Sequence, residues 1–329
     1  MFAKYRVAAF SATKYEIVSE VKDISRPEEV KDFIGKYAVT WLDCAGASEA
    51  EIASIGEVFG FHRLCLEDCS KLPQRPKVSD YGDYFFMVVR EVEYHKDVHS
   101  HQISMFVGKN YVVTIREKHD KLFDPLFDRI AQKSPRLQDK GSDYICYAIT
   151  DQIVNGYAPI LEVIEDEIET VEKEILGTTS KETLREIFKL KKDLLLLRKI
   201  IIPTREMLLY FEREDLPNMT DKSRIYFRDV YDNIVGSMEL IDTYREITSG
   251  VIESYLSTLS NNINSVVKVL TVLASLALVP TLIASIYGMN VDFPEKDLLG
   301  ARNMYYLAMG LMLASTIALI YHFRKREWI

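Results

Sequence analysis

Residues 265–297 read "SVVKVLTVLASLALVPTLIASIYGMNVDFPEKD". A long apolar run stops there on Tyr287-Gly288-Met289-Asn290, crosses a short charged segment, and a second apolar run follows. From Val269 to Val291 there are 23 residues without a formal charge, and from Asn303 to Tyr321 another 19. A helix needs about 20 mostly apolar residues to cross the hydrocarbon of a bilayer, so both runs qualify as spans. The competing reading is a buried hairpin in a soluble core, and the uninterrupted length argues against it. Two crossings place both termini on one side. Arg324-Lys325-Arg326 marks that side as cytoplasmic by the positive-inside rule. Tyr321 and Trp328 suit interfacial anchoring. Residues 291–302 then form an external loop, 303–323 the second span and 324–329 a basic cytosolic tail.

The rest of the chain has a different character. A mean hydropathy of −0.05 hides the asymmetry. Residues 251–329 hold six Lys/Arg and five Asp/Glu, so the chain's net charge of −8 resides in residues 1–250, which carry −9. Such an acidic body repels phosphate backbones, which disfavours nucleic acid as a partner, so none is expected, and it suits cations. Cys44, Cys65, Cys69 and Cys146 include no C-x-x-C pair. Cys65 and Cys69, four apart on an expected helix, read as buried structural thiols in a reducing compartment.

Residues 1–118 alternate strand-like and helical signals. "YRVAAF", "YAVTWL", "YFFMVVREVEY", "QISMFVG" and "NYVVTIRE" are rich in aromatic and β-branched residues. "SEAEIASIGEVFG" has helical spacing behind a capping serine. These signals predict an α/β domain with a mixed sheet. Residues 119–216 turn helical, through "DRIAQKS", a segment beginning near Ser142, and "KETLREIFKLKKDLLLLRKII" up to Pro203. No proline stands between Pro217 and Pro280. Residues 217–290 therefore read as one stalk helix continuing into the first span.

Two clusters invite a metal reading. "HKDVHSH" gathers His95, Asp97, His99 and His101, which would suit zinc or nickel, but it sits between two strand signals like a solvated hairpin tip. "EVIEDEIETVEKE" has seven acids in residues 162–174. The ordinary reading is an exposed helix face; the sharper one is a surface for a hard cation such as Mg²⁺, which prefers carboxylate oxygens and keeps its waters. No G-x-x-x-x-G-K-[ST], H-E-x-x-H or G-x-S-x-G occurs, so no enzyme is expected.

Taken together, "NNINSVVKVLTVLASLALVPTLIASIYGMNVDFPE" resembles the signature of the CorA family of magnesium transporters and channels. The preceding "YFRDVYDNIVGSMELIDTYREITSGVIESYLSTLS" resembles its stalk, "LEDCSKLPQRPKV" and "GKNYVVTIREK" its cytosolic domain, and "RKREWI" its tail. The resemblance implies a funnel-shaped homopentamer in the inner or plasma membrane. Five first-span helices would line a pore for Mg²⁺, with Co²⁺ and Ni²⁺ as further substrates. A zinc transporter of the ZntB kind, of similar architecture but typically carrying GVN, is the nearer alternative. A membrane-anchored protein that transports nothing is the other.

Physics gives the signature a role. Mg²⁺ dehydrates reluctantly, and a ring of neutral Asn290 amides at the mouth would hydrogen-bond its waters without trapping the ion. Gly288 would allow the turn and close approach, with Tyr287 and Met289 flanking it; a thioether suits softer metals, so Met289 is expected to pack beneath the loop. Helical steps of three or four place Asn264, Val267, Leu270 or Thr271, Ala274, Leu278, Thr281 and Ser285 on one stripe. Asn264 and Thr281 match polar pore positions of the family; Val267 and Leu278 stand where members often carry Met. The resemblance further implies regulatory Mg²⁺ held between subunits by Asp229 on the stalk and Asp83 on the α/β domain, with Glu165 and Glu169 as a second pair.

Overall fold

The computed structural model describes residues 3–12, 16–138, 140–177, 180–213, 216–289 and 294–328; for residues 176–177 and 294–301 it describes the backbone alone. The chain divides into two compact units, residues 1–174 with 180–251, and residues 175–179 with 252–329.

The first unit is built on a seven-stranded mixed sheet. Its strands are β1 (Lys4–Ala12), β2 (Ile17–Ile24), β3 (Val39–Ala45), β4 (Lys77–Asp80), β5 (Tyr84–Tyr94), β6 (Val98–Gly108) and β7 (Tyr111–Arg116), in the spatial order β2-β1-β3-β7-β6-β5-β4. Every pairing is antiparallel except β3 with β7, which run parallel from Thr40↔Tyr111 to Ala45↔Arg116. All seven residues of β3, "VTWLDCA", are buried, the pattern of a strand covered on both faces.

One face packs under helices α1 (Glu49–Phe59) and α2 (Arg63–Ser70). Val7, Leu42, Phe86, Phe106 and Val113 meet Ile52, Ile55 and Phe61 there, joined by Cys65 and Cys69, both buried as expected. Phe61 stacks on Phe106 with ring centroids 3.8 Å apart. The start of α1 follows from its sequence: Ser48 accepts from the Glu51 amide while the Glu51 side chain reaches back to the Ser48 amide, a reciprocal capping box. Gly60 ends the helix at φ 72°, a left-handed conformation that glycine adopts without a Cβ penalty.

The other face is covered by α3 (Asp124–Ala131), α4 (Ser142–Asn155) and α6 (Lys181–Arg213). Trp41 stacks on Phe127 at 4.2 Å, Cys146 meets Met87 at 3.5 Å, and Phe85 meets Phe211 edge-on at 5.7 Å. Helix α5 (Tyr157–Gly177) anchors through Tyr157, whose hydroxyl donates to the Arg90 carbonyl at 2.6 Å. The helix expected to run up to Pro203 instead continues through it to Arg213. Pro203 and Thr204 are buried in tertiary packing, which overrides the local cost of the missing amide, and Thr204 Oγ1 donates to the Ile200 carbonyl one turn back.

The histidine segment forms the tip of the β5–β6 hairpin, as expected. Its turn is only His95-Lys96-Asp97; His99 and His101 belong to strand β6, with His99 paired to Asp97 at 2.8 Å. Among the described residues, no group of three or more His, Cys, Asp or Glu is placed to hold a metal ion.

The second unit contains the later part of α7 (Asp221–Tyr287, 67 residues) and α8 (Pro294–Lys325). An 18-residue window reaches a mean hydropathy of 2.3 in α7 and 1.6 in Arg302–Lys325, and only 6% of each window is buried. A soluble core hairpin would be mostly buried, so that reading fails and both helices fit membrane spans. Helix α8 begins at Pro294, inside the segment expected as a loop, where proline suits a first helical turn. At its other end Trp328 folds back, its amide donating to the Phe323 carbonyl at 3.0 Å and its ring stacked on Phe323.

Candidate functional site: the α7 stripe and the acidic positions

All eight stripe positions lie on one unbroken helix, and in the single chain all are exposed, Val267 by 53%, Leu270 by 65% and Leu278 by 65%. At about 100° per residue they fall within roughly a third of the helix circumference. Exposure alone does not single them out, since Val266, Leu273 and Leu282 are exposed as well. The stripe's threonines bond back to the helix, as Thr316 on α8 also does to the Met312 carbonyl at 2.8 Å. Thr271 Oγ1 donates to the Val267 carbonyl at 2.8 Å and Thr281 Oγ1 to the Ala277 carbonyl at 2.7 Å. A hydroxyl that has given its hydrogen to the backbone presents only lone pairs outward. Such an oxygen accepts from water or faces a cation.

Helix α7 stops at Tyr287, where the Gly288 amide still reaches the Ala284 carbonyl at 2.9 Å and the Met289 amide reaches Ile286 at 3.3 Å. A Cβ on Gly288 would stand 3.0 Å from the Ala284 carbonyl oxygen, tighter than most Cβ contacts, so the turn would have to give by a few tenths of an ångström. The glycine therefore eases a close approach and does not serve a left-handed backbone. Met289 is 58% exposed in the single chain, and the start of the loop beneath which it is expected to pack, residues 291–293, lies outside the described residues. Asn290 lies outside the described residues.

The four acidic positions belong to the first unit, and within one chain they do not converge. Asp83 is exposed in the turn before β5, its carbonyl accepting from Asn218 Nδ2 at 2.9 Å. Glu165 accepts from the Tyr244 hydroxyl at 2.8 Å, and Glu169 pairs with Lys173 one turn along at 3.1 Å. Asp229 has an acidic neighbour that the linear sequence hides. Burial, with the Asp229 charge behind it, raises the Asp151 carboxyl on α4 above its ordinary range. Asn155 donates to Asp151 at 2.9 Å and accepts from Asn233, one turn beyond Asp229 on α7, at 3.3 Å. Nothing local in "AITDQIVN" announces that role, because its partner stands 78 residues away.

Comparison with known proteins identifies the family. Residues 36–325 match the CorA-like Mg²⁺ transporter protein family. The chain belongs to that family. The cobalt/magnesium transport protein CorA of Thermotoga maritima is 36% identical over 97% of this chain and 88% of its own length. The complete structure of the CorA magnesium transporter from Methanocaldococcus jannaschii superposes with a TM-score of 0.83 at 26% identity, covering 98% of each chain. The ZntB cytoplasmic domain from Vibrio parahaemolyticus shares the fold at 12% identity and a TM-score of 0.62, covering 79% of this chain and all of that domain. The CorA family is one of transporters, and the α/β unit, long helix and two apolar C-terminal helices of this chain are its architecture.

Proposed function

We propose that this CorA-family chain assembles as a homopentameric channel that passes Mg²⁺, and with it Co²⁺ and Ni²⁺, through a pore lined by α7. The observation that carries this reading is the outward lone-pair character of Thr271 and Thr281 on a helix that fits a membrane span. A mere tether has no use for polar groups at those depths, and intramembrane polar groups face an interior or a cavity. Five Asn290 amides at the outer mouth bind hydrated ions. Thr281, Ser285 and Asn264 supply polar rings along the path, and Leu270 and Leu278 supply apolar rings that close it by dewetting. Both termini lie in the cytoplasm, following the basic Arg324-Lys325-Arg326 tail.

Asp83, Asp229, Glu165 and Glu169 hold regulatory Mg²⁺ between subunits. An ion bridging carboxylates that would otherwise repel binds the closed arrangement more tightly and shifts the population toward it. Falling Mg²⁺ empties the sites and opens the pore.

The deciding experiment is ion uptake into proteoliposomes holding the purified chain, comparing Mg²⁺, Co²⁺, Ni²⁺ and Zn²⁺. Uptake of Mg²⁺ down its gradient is the expected result. Zinc-selective uptake would favour the ZntB-like alternative, and no uptake would leave only the tether.

A further inference from the structure

Where the β5–β6 hairpin meets the segment after β7, three carboxylates share one lysine. Glu91 and Glu93 stand on β5, and Asp120 stands just beyond β7. Lys118 Nζ pairs with Glu93, and lies 3.8 Å from Glu91 and 3.9 Å from Asp120. The Glu91 side chain is only 9% exposed and Asp120 15%. Beside them Arg116 is committed to Asp43 at 2.7 Å and to Asp120 at 2.5 Å. Asp43, Glu91, Glu93 and Asp120 thus face two permanent cations, Lys118 and Arg116. The cluster is short of positive charge.

The shortfall is visible atom by atom. Asp120 Oδ2 is buried without a hydrogen-bond partner, and Glu91 is beyond hydrogen-bond reach of Lys118. The cross-strand partner of Glu91 is His101, whose Nε2 lies 3.8 Å from Glu93 and whose Nδ1 lies 3.8 Å from Glu117, itself buried without a hydrogen bond. From the helical layer Tyr157 faces the site, but its hydroxyl is spent on the Arg90 carbonyl, and Arg90 bonds Ser100. His95 lies 3.6 Å from Glu93, and His119 and Lys121 line the neighbouring cleft with Asp43, Arg116 and Asp120, but among the described residues Glu91 has an ion pair only with Lys118. A buried carboxylate in that position neutralises itself by taking a proton.

We propose that this cluster is a proton-binding switch: Glu91 carries a proton in the folded chain near neutral pH, and losing it loosens the β5–β6 hairpin from residues 116–120. Burial first, then the Asp120 charge, pushes the Glu91 carboxyl up to about 7, with Lys118 opposing. Because this lies above the ordinary carboxylate value of 4.5, the folded state holds the proton more tightly than the unfolded state. The stabilisation is complete below the unfolded value and is lost as pH rises through about 7.

The test is denaturant unfolding of the full-length protein in detergent, without divalent ions, across the range from about pH 5 to about pH 8.5. Relative to Glu91→Gln, the wild-type unfolding constant should rise by up to about tenfold per pH unit between about 5 and 7, the signature of one linked proton. Lys118→Met, which removes the opposing cation, should move that transition to higher pH. Infrared difference spectra of the native protein should show a protonated carboxyl that titrates near neutrality and is missing in Glu91→Gln. Identical pH profiles for wild type and Glu91→Gln, or a titrating band that survives the substitution, would overturn the proposal. Should Glu91→Gln not fold, an unshifted transition in Lys118→Met does the same.

Discussion

Arg116 and Asp43 form a bidentate pair across the parallel strands β3 and β7, with Arg116 Nη2 2.7 Å and Nε 3.0 Å from the carboxylate and side chains 7% and 4% exposed. Thr114 Oγ1 donates to the same carboxylate at 2.6 Å and accepts from Trp41 Nε1 at 3.0 Å. Removing one member of a buried pair strands the other charge, which costs about 3–5 kcal/mol, whereas replacing both with apolar groups is often neutral. Asp43→Asn should therefore lower the melting temperature of the first unit by on the order of 10 °C. Asp43→Leu combined with Arg116→Met and Asp120→Asn, which also neutralises the second carboxylate that Arg116 holds at 2.5 Å, should cost less than the single change. Calorimetry of the three proteins checks both, and equal losses would show that packing, not charge, dominates here.

The second prediction concerns Asp229. Replacing it with Lys sets a fixed positive charge where a regulatory ion would sit, either mimicking occupancy or blocking the site. Protection of the body from proteolysis by added Mg²⁺ should shrink in the assembled Asp229→Lys variant. The same substitution brings a cation beside Asp151, whose carboxyl is raised partly by the Asp229 charge, and should lower it. Undiminished protection with an unchanged Mg²⁺ midpoint would remove Asp229 from the sensor.

How much of this was legible beforehand depends on the residue. The five strands with aromatic and β-branched content stood out, and so did the Ser48-to-Gly60 helix, because local pattern and tertiary burial agree there. Strands β2, "IVSEVKDI", and β4, "KVSD", did not. Both lie at the sheet's edges, where charged residues protect against pairing with other chains and erase the hydrophobic signal. Pro203 looked like a helix stop because local rules see the lost amide but not the packing around it. Asp83 and Asp229 were legible through family resemblance alone, whereas Glu165 and Glu169 also stand in the acidic run that suggests a cation surface. Their partners come from distant segments, as Tyr244 does for Glu165, or under the proposed assembly from another copy.

The third prediction concerns closure. Leu278 is 65% exposed on the single chain, on the stripe that also carries Thr271 and Thr281. If five copies converge there, an apolar ring excludes hydrated ions when narrow. Leu278→Asn wets the ring and should raise ion leak at high Mg²⁺, where the wild type is closed. Proteoliposome flux at saturating Mg²⁺ measures this. A variant as tight as wild type would place Leu278 against lipid or a neighbouring helix.

The last prediction concerns Asn290, next to the point where α7 gives out. Gly288 and Met289 still bond back to Ala284 and Ile286, so the chain there holds a tight last turn, with little room for a Cβ at Gly288. A ring of ligands at a pore mouth requires side chains held by a fixed backbone. The amide suits the task chemically. Its carbonyl accepts from the waters Mg²⁺ keeps, and its neutrality lets the ion leave. Alanine removes the acceptor and leaves the turn. Asn290→Ala should therefore assemble with the wild-type oligomeric size but lose most Mg²⁺ uptake, while Gly288→Ala should perturb the turn itself. Size-exclusion chromatography with light scattering establishes assembly, and fluorescent-indicator flux in proteoliposomes reads transport. Wild-type uptake by assembled Asn290→Ala would mean that the ion is selected elsewhere along the stripe, with Thr281 the next position to substitute.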